Sequence, residues 1–137
     1  MITPKYNLLK KLGNLTTNFG APTRDDPNHQ GIDVANAEGT VIPAMEDGVI
    51  LKTETRNDGA GNVAILRDKN GNIQQYSHLK NALVKPGTKV RKGTPIAQMG
   101  KSGNVYSNSG SDPSHLDLRI TNAYGRYLNP LTYLRNK

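Results

Sequence analysis

The segment DPSHLDLRI, towards the C-terminus, alternates polar and apolar side chains with a period of two. In an extended strand, side chains two residues apart point to the same face. His115 and Asp117 therefore share one face of this segment. The other face is apolar, with Leu116, Leu118 and Ile120. The pattern predicts a half-buried strand with an imidazole and a carboxylate on its open side.

Apolar runs earlier in the chain predict a series of short strands. The stretches GIDVAN, GTVIP and DGVILKTET combine β-branched residues with flanking turn formers, a combination typical of strands. The stretch NVAILRDKNGNIQQYSHL carries two more runs around Asn70-Gly71, a dipeptide favoured in tight hairpins. After it, Val84, Val90 and Ile96 lie between regularly placed glycines, which predicts short strands joined by compact turns.

A helix and two loops complete the predicted architecture. The stretch KYNLLKKL has helically spaced leucines before Gly13, which predicts a short N-terminal helix over residues 5–12. Residues 20–30 and 101–114 are rich in turn formers and predict loops that could display a site. No repeat or linker divides the 137 residues. We expect one domain, 1–137, that is mainly β: a compact antiparallel β-sheet or barrel-sandwich-like fold with a surface groove.

Composition limits the chemistry and the partners of the chain. There is no cysteine, so a metal ion can be held only by His, Asp or Glu. Lys and Arg number 18 against 11 Asp and Glu, an excess that favours anionic polymers such as nucleic acid or acidic cell-wall polymers. Aromatic residues make up only 5% of the chain, and no stacking motif of the RRM type occurs, which argues against nucleic acid.

The three histidines lie where predicted strands begin or end. His29 stands four residues before Asp33 with Gly31 between them, so a loop that enters a strand can bring both side chains to one metal ion. Catalytic zinc sites use three protein ligands and a water, and the SHLDL strand could supply the third ligand. The two remaining imidazoles, those of His78 and His115, could accept a proton and stabilise an oxyanion during amide hydrolysis.

Each of these residues also has an ordinary structural interpretation. His29 could be a turn residue, His78 could be a surface residue at the end of its strand, and Asp33 could be a turn cap. Asp117 could pair with a nearby arginine such as Arg119 or Arg67. Only the joint occurrence of all these residues distinguishes a site from these interpretations.

Four motifs follow one another along the chain, and the likeness that they carry extends from about residue 18 to residue 134. They are HQGIDVANAEGTVIPAMEDGVI, YSHLKNALVKPGTKVRKGTPIAQMGKSGNV, SHLDLRI and NPLTYL. Together they resemble the lysostaphin/LytM-type zinc endopeptidases of peptidase family M23. The resemblance implies that His29 and Asp33 are zinc ligands. It also implies that His78 assists the attacking water or steadies the transition state on the oxyanion side, and that His115 is the general base.

Position 117 departs from that family, which normally has a histidine there as its third zinc ligand. Aspartate is an accepted zinc ligand, so the expected cofactor is Zn²⁺ held by His29, Asp33 and Asp117. The aspartate side chain is shorter than imidazole, so the strand or the metal must shift. A second carboxylate also makes the metal a poorer Lewis acid.

The resemblance implies a zinc-dependent endopeptidase that hydrolyses peptide bonds in peptidoglycan stem peptides or cross-bridges. We expect it to be a monomer whose positive charge suits anionic wall polymers. The start, MITPKYNLLKKLG, lacks the apolar core of a signal peptide, and no segment approaches the roughly 20 apolar residues of a membrane span. We therefore expect a phage endolysin or virion-borne lysin, made in the cytoplasm and reaching the wall by cell lysis or in a virion.

Two other functions fit parts of the sequence. A catalytically degenerate module of the same family would bind peptidoglycan or regulate an amidase partner, and Asp117 would mark its lost activity. The glycine-punctuated strands are also similar to the barrel-sandwich of lipoyl and biotinyl carrier domains. Those domains carry a modified lysine in a hairpin turn between matching halves. The sequence has no Met-Lys or Asp-Lys pair of that kind placed centrally between matching halves.

Overall fold

The protein is described from a computed structural model, over residues 7–23, 27–103, 105 and 112–135. The helices within these residues are α1 (Asn7–Leu12) and α2 (Pro130–Arg135). The strands are β1 (Asn14–Thr17), β2 (Ile32–Ala35), β3 (Val41–Pro43), β4 (Gly48–Arg56), β5 (Gly61–Asp68), β6 (Ile73–Ala82), β7 (Lys89–Val90), β8 (Pro95–Met99), β9 (His115–Thr121) and β10 (Tyr127–Leu128). The predicted mainly β fold is confirmed. Neither α1 nor α2 has the length or apolar character needed to cross a membrane.

These strands form one antiparallel sheet that does not close into a barrel. The main path of the sheet runs β1-β2-β9-β6-β5-β4-β7, with β10 beside β9. Strand β3 pairs with β8, which also pairs with β6. Strands β2, β9 and β6 are therefore neighbours, and they carry Asp33, Asp117 and His78. The topology brings residues from three distant parts of the chain onto adjacent strands.

The alternation predicted for β9 is confirmed. Leu116, Leu118 and Ile120 have no exposed surface. They belong to one core cluster that also contains Ile32 and Val34 of β2 and two leucines of α1, Leu9 and Leu12. Burial of this apolar face is the main favourable contribution to folding. The opposite face of β9 is left for polar side chains.

Other predicted elements agree with the structure in part. A hairpin at Asn70-Gly71 joins β5 to β6 as predicted, and Val90 and Ile96 lie in β7 and β8. The strand predicted at Val84 is wrong, because the pairing of β6 with β8 ends at Ala82 and the chain then bends. Strands β1 and β10 and helix α2 were not predicted, since these short elements depend on packing more than on a local pattern.

The predicted helix and loops are only partly covered by the described residues. The helix is confirmed as α1, while residues 5–6 lie outside the described part of the chain. The same holds for residues 24–26 of the loop predicted at 20–30. In the loop predicted at 101–114, residues 104 and 106–111 also lie outside it.

Asp68 ties the end of the sheet together. Its Oδ1 accepts hydrogen bonds from the backbone amides of Asn70 and Asn72, both at 3.0 Å. Its Oδ2 accepts from Nε2 of Gln74 at 3.1 Å and from the hydroxyl of Tyr133 at 2.6 Å. Asp68 is buried, and its carboxylate connects the β5–β6 turn, strand β6 and helix α2.

We expect Asp68→Ala to lower the free energy of unfolding by about 3 kcal/mol, because buried donors lose their acceptor. Tyr133→Phe removes only one of the four hydrogen bonds and should cost about 1 kcal/mol. Urea unfolding followed by circular dichroism measures both values. Equal losses in the two variants would contradict a central role for the carboxylate.

Candidate metal centre

Strand register places the carboxylates of Asp33 and Asp117 side by side. These two residues are direct partners in the antiparallel pairing of β2 with β9, and Ala35 is the partner of His115. Direct partners on neighbouring strands point to the same face of a sheet. On its other side, Asp117 is the partner of Ser77 in β6. Three strands therefore contribute to one polar face.

His29 reaches this face from the loop before β2. Its backbone amide donates to the carbonyl of Ala21 at 2.9 Å, and its carbonyl accepts from the amide of Gly20 at 2.6 Å. The imidazole is buried, with Nε2 lying 3.0 Å from Oδ1 of Asp33. Oδ1 of Asp117 lies 3.7 Å from the same nitrogen. Pairing at the base of the loop thus directs the ring onto both carboxylates.

Gly31 allows β9 to approach the loop closely. A β-carbon at this position would clash with the carbonyl oxygen of Leu118. It would also lie 2.6 Å from Cγ of Arg119 and 3.0 Å from Oδ1 of Asp117. The sequence predicted only curvature at this glycine. The structure adds that any side chain here would push β9 away from His29.

His29 and Asp33 stabilise each other's charged forms. Burial is the largest influence on both side chains and opposes charge. The hydrogen bond with Asp33 and the charges of Asp117 and Asp33 outweigh burial and raise the pKa of His29. The same hydrogen bond and the nearby histidines lower the pKa of Asp33 against its own burial. A metal ion bound here would replace the proton that His29 shares with Asp33.

Arg119 forms a bidentate ion pair with Asp117. Its Nε donates to Oδ1 at 3.2 Å, and its Nη2 donates to Oδ2 at 3.1 Å. Burial opposes charge on Arg119, but the hydrogen bond and the charge of Asp117 outweigh it and raise the pKa of the guanidinium. The arginine pair considered for Asp117 in the sequence is therefore present. It coexists with the approach of Asp117 to His29.

His115 stands at the more open edge of the cluster. Its Nδ1 lies 2.9 Å from the carbonyl oxygen of Pro113. A carbonyl oxygen can only accept, so Nδ1 donates its hydrogen and Nε2 of the neutral ring keeps a lone pair. This Nε2 lies 3.8 Å from Oδ1 of Asp33. His115 is therefore placed to take a proton from a group held at the cluster.

His78 has a left-handed backbone, with φ of 63°, which no other non-glycine residue in the described part of the chain shares. It lies inside β6, not at the end of a strand, and it is buried. The strand-end prediction is wrong because β6 continues through a register shift against β5. A backbone of this kind costs of order 1–3 kcal/mol and persists only where the surroundings enforce it. Here the amide of His78 donates to the carbonyl of Ala60 at 2.9 Å.

Ser102 fixes the ring of His78. Nδ1 of His78 donates to the carbonyl of Ser102 at 2.7 Å, so Nε2 of the neutral ring keeps its lone pair. The hydroxyl of Ser102 accepts a hydrogen bond from the backbone amide of Asn62 at 3.0 Å and donates one to the backbone carbonyl of Leu79 at 2.7 Å. Burial lowers the pKa of His78 despite the bond to Ser102. The ring is thus held in its neutral form with a defined tautomer.

Two glycines let the backbone of Ser102 reach this position. Gly61 and Gly103 both have positive φ, 69° and 78°. A β-carbon on Gly103 would clash with the carbonyl oxygen of Gly59 and lie 2.6 Å from the amide nitrogen of Gly61. A β-carbon on Gly61 would clash with the carbonyl carbon of Ser102. The two loops can therefore pack backbone against backbone only with glycine at both positions.

The rings of His78 and His115 complete the site. Their centroids are 4.7 Å apart and their planes are tilted by 49°. Five residues singled out from the sequence are thus brought together on one face: His29, Asp33, His78, His115 and Asp117. The contacts of Ser102, Gly61 and Gly103 with the site were not predicted from the sequence, because they join segments that no local pattern relates.

Comparison with known proteins identifies the family of the chain. Residues 27–130, most of the chain, match the model of peptidase family M23. The chain belongs to peptidase family M23. Its fold agrees with the catalytic domain of the antimicrobial peptidase lysostaphin from Staphylococcus simulans, with a TM-score of 0.79 and 25% sequence identity. That match covers 96% of this chain and 98% of the lysostaphin domain.

Relatives within family M23 have two kinds of function. Murein hydrolase activator NlpD of Salmonella dublin is 31% identical over 122 residues, which are 89% of this chain and 29% of NlpD. Peptidoglycan DD-endopeptidase ShyC of Vibrio cholerae is 39% identical over 77 residues, which are 56% of this chain and 18% of ShyC. The chain thus spans less than a third of the length of either relative. Family M23 is related to peptidoglycan and includes both zinc-dependent peptidases and activators.

The donor set fits the zinc of M23 peptidases. One ring nitrogen and two carboxylate oxygens, from His29, Asp33 and Asp117, lie within 4.8 Å of one another. Zinc bonds of 2.0–2.1 Å in a tetrahedron place neighbouring ligand atoms roughly 3.3 Å apart. The 3.0 Å and 3.7 Å separations from Nε2 of His29 lie on either side of that value. Nitrogen and carboxylate oxygen are also ligand types that zinc accepts.

Proposed function

We propose that this M23 domain is a zinc-dependent endopeptidase that hydrolyses peptide bonds in peptidoglycan stem peptides or cross-bridges. The observation that carries this proposal is the approach of three ligand atoms to one another beside two imidazoles with free Nε2 lone pairs. A degenerate domain has no need to keep two such histidines, one of them on a strained backbone. The net charge of +7 suits a substrate among anionic wall polymers.

Three side chains would hold the metal ion: His29, Asp33 and Asp117. Zinc bound there supplies Lewis acidity and lowers the pKa of water. The ligand side chains are largely buried, with 5%, 14% and 6% of their surface exposed, respectively. His115, with 16% of its side chain exposed, lies beside them at a more open position.

His115 serves as the general base in this proposal. Its Nε2 accepts a proton from the attacking water and passes it to the nitrogen of the departing amine. The hydrogen bond from Nδ1 to the carbonyl of Pro113 keeps the tautomer that this role requires. The position of Nε2 near Asp33 directs the proton transfer towards the cluster.

His78 orients the attacking water in this proposal. Its Nδ1 hydrogen is already donated to Ser102, so the neutral ring offers a lone pair at Nε2 and no second donor. Steadying an oxyanion would need the protonated ring, which burial disfavours. Of the two roles that the resemblance implies for His78, the hydrogen bonding therefore favours assistance to the water.

A cavity of about 470 Å³, lined by none of the five site residues, lies near the end of β9 that carries His115 and would take part of the substrate. It is lined by Ala35, the strand partner of His115, and by the preceding Ser114. Lys10 and Asp112 place charges of opposite sign on its walls. A cavity with charges of both signs on its walls suits a peptide that carries amino and carboxylate groups.

Cleavage of purified peptidoglycan tests the proposed function directly. We expect the zinc-loaded protein to release new amino termini, detected by mass spectrometry, and a chelator to stop this release. His115→Ala should slow the release by about 100-fold or more, the usual contribution of a general base. An exposed lysine between β6 and β7 provides the control, Lys85→Ala.

A second function is supported by the match to NlpD and by the aspartate at position 117. We propose as the alternative that the domain activates a murein hydrolase, such as an amidase, without cleaving peptidoglycan itself. Peptidoglycan digested by a purified amidase, with and without the domain, distinguishes the two. Faster amidase digestion together with no cleavage by the domain alone would favour the activator.

A further inference from the structure

The ion pair between Asp117 and Arg119 is bidentate and largely buried on the aspartate side. Both carboxylate oxygens are used, each by a different guanidinium nitrogen, at 3.2 and 3.1 Å. The side chain of Asp117 is 6% exposed and that of Arg119 is 27% exposed. Two parallel hydrogen bonds of this kind fix the plane of the carboxylate as well as its position.

The same oxygen of Asp117 faces both the arginine and the predicted metal ligands. Oδ1 accepts from Nε of Arg119 and lies 3.7 Å from Nε2 of His29. A carboxylate oxygen has two lone pairs, and the arginine uses one of them. The second lone pair of Oδ1 remains for a metal ion, so the two interactions do not exclude each other.

The surroundings keep Arg119 on Asp117. The absent side chain of Gly31 leaves room for Cγ of Arg119, which would otherwise meet a β-carbon at 2.6 Å. The strand partner of Arg119 is Gln75. Its amide oxygen accepts from Arg56 at 3.0 Å, and its amide nitrogen donates to the hydroxyl of Ser77. The neighbouring amide is therefore engaged with other residues.

The pair of Asp117 and Arg119 is also electrically neutral as a unit. Aspartate adds one negative charge where an imidazole would add none, and an arginine is always charged in proteins. Asp117 and Arg119 together therefore have no net charge, like the neutral histidine of the M23 pattern. With Asp33 as the other carboxylate, the cluster has the net charge of a site with two imidazoles and one carboxylate.

We propose that Asp117 and Arg119 form one coupled ligand unit, in which Arg119 is a positioning residue that aims Oδ1 at the metal ion. Arg119 compensates for the short side chain of Asp117 by fixing its orientation, and for its charge by neutralising it. The inference rests on the proposed metal site but not on catalysis. It assigns a function to the Asp-x-Arg sequence of β9.

Zinc affinity measured by competition with a chelating dye tests this unit. We expect Arg119→Gln to weaken binding by about 10- to 100-fold, the usual loss when a group that orients a ligand is removed. Arg119→Lys should also weaken binding, because lysine keeps the charge but cannot form the bidentate pair. Arg67→Gln, on an exposed arginine two strands away, is the matched control and should bind as the wild type does.

A double-mutant cycle separates positioning from a general structural role. In Asp117→His, Arg119 has no carboxylate to orient and its charge repels a metal ion. Adding Arg119→Gln to this variant should therefore leave zinc affinity unchanged or raise it. A loss of the same size in both backgrounds would overturn the inference.

The outcomes also distinguish this inference from the proposed function. Wild-type protein that binds no zinc would overturn both. Zinc binding by the wild type with equal or tighter binding by Arg119→Gln would overturn the coupled unit alone. Thermal unfolding of each metal-free variant shows that folded proteins are compared, and weaker binding by a folded Arg119→Lys variant supports the inference even if Arg119→Gln unfolds.

Discussion

Asp117→Ala is expected to weaken zinc binding by more than about 100-fold, beyond the range for groups that only orient a ligand. Asp117 supplies one of the three ligand atoms that lie within 4.8 Å of one another. Alanine leaves two protein ligands, fewer than catalytic zinc sites use. Peptidoglycan cleavage should fall below detection for the same reason. Dye competition and mass spectrometry of released amino termini measure the two effects.

Two further variants control this experiment. Asp117→Asn keeps an acceptor for Arg119 but offers a neutral oxygen, so it should remain folded and still bind zinc weakly. Asp58→Ala removes a carboxylate that is 52% exposed and lies outside the ligand cluster, and it should bind zinc normally. Tight zinc binding by the alanine variant would show that Asp117 is not a ligand, and the activator function would then gain support.

Gly103→Ala should slow peptidoglycan cleavage by about 100-fold, the cost of a displacement near 1 Å at a catalytic group. The new β-carbon would clash with the carbonyl of Gly59, so the loop must move and carry the carbonyl of Ser102 with it. That carbonyl holds Nδ1 of His78. Zinc affinity should stay within about twofold, because none of the three ligand atoms belongs to this loop. The ratio of cleavage rate to zinc affinity is the quantity to measure.

Gly125→Ala provides the matched control for Gly103→Ala. Gly125 has nearly the same φ, 79° against 78°, but a β-carbon there would have open space around it. Both variants pay for the left-handed backbone, and only Gly103→Ala adds the clash. Equal rates of cleavage in the two variants would show that the packing around Ser102 does not position His78. A fall in zinc affinity with Gly103→Ala would instead indicate a general disturbance of the site.

These two substitutions separate metal binding from orientation of the attacking water. Asp117 belongs to the ligand atoms, while Gly103 acts through Ser102 on a histidine outside them. A domain that only activates another hydrolase would be insensitive to Gly103→Ala in the amidase assay. The enzyme and activator hypotheses thus predict different effects of Gly103→Ala.

Much of the fold could be predicted because local patterns carry it. The period of two in β9 predicted which residues are buried, and Leu116 and Leu118 are indeed enclosed. The helical spacing of leucines before Gly13 predicted α1. The strand predicted at Val84 is wrong, because a β-branched residue favours a strand only while a partner strand continues beside it.

The residues of the candidate site were predicted from their types and their order in the chain. Their positions within the strands were predicted less well. His29, Asp33 and Asp117 are residues of the correct chemistry on segments that the topology makes neighbours. The pairing of Asp117 with Arg119 was visible in the sequence, since residues two apart in a strand share a face. The sequence alone treated this pair and a metal site as alternatives, whereas the distances allow both.

The sequence by itself determined the alternating faces, the turns and the supply of metal-binding and proton-accepting side chains, because these follow from neighbours a few residues apart. Only the tertiary structure decided how they meet. The register of β2 on β9 sets Asp33 beside Asp117. The left-handed backbone of His78 and its bond to Ser102, 24 residues away, need two loops packed backbone against backbone. Such contacts depend on the packing of the whole sheet, since local preference alone disfavours a left-handed histidine.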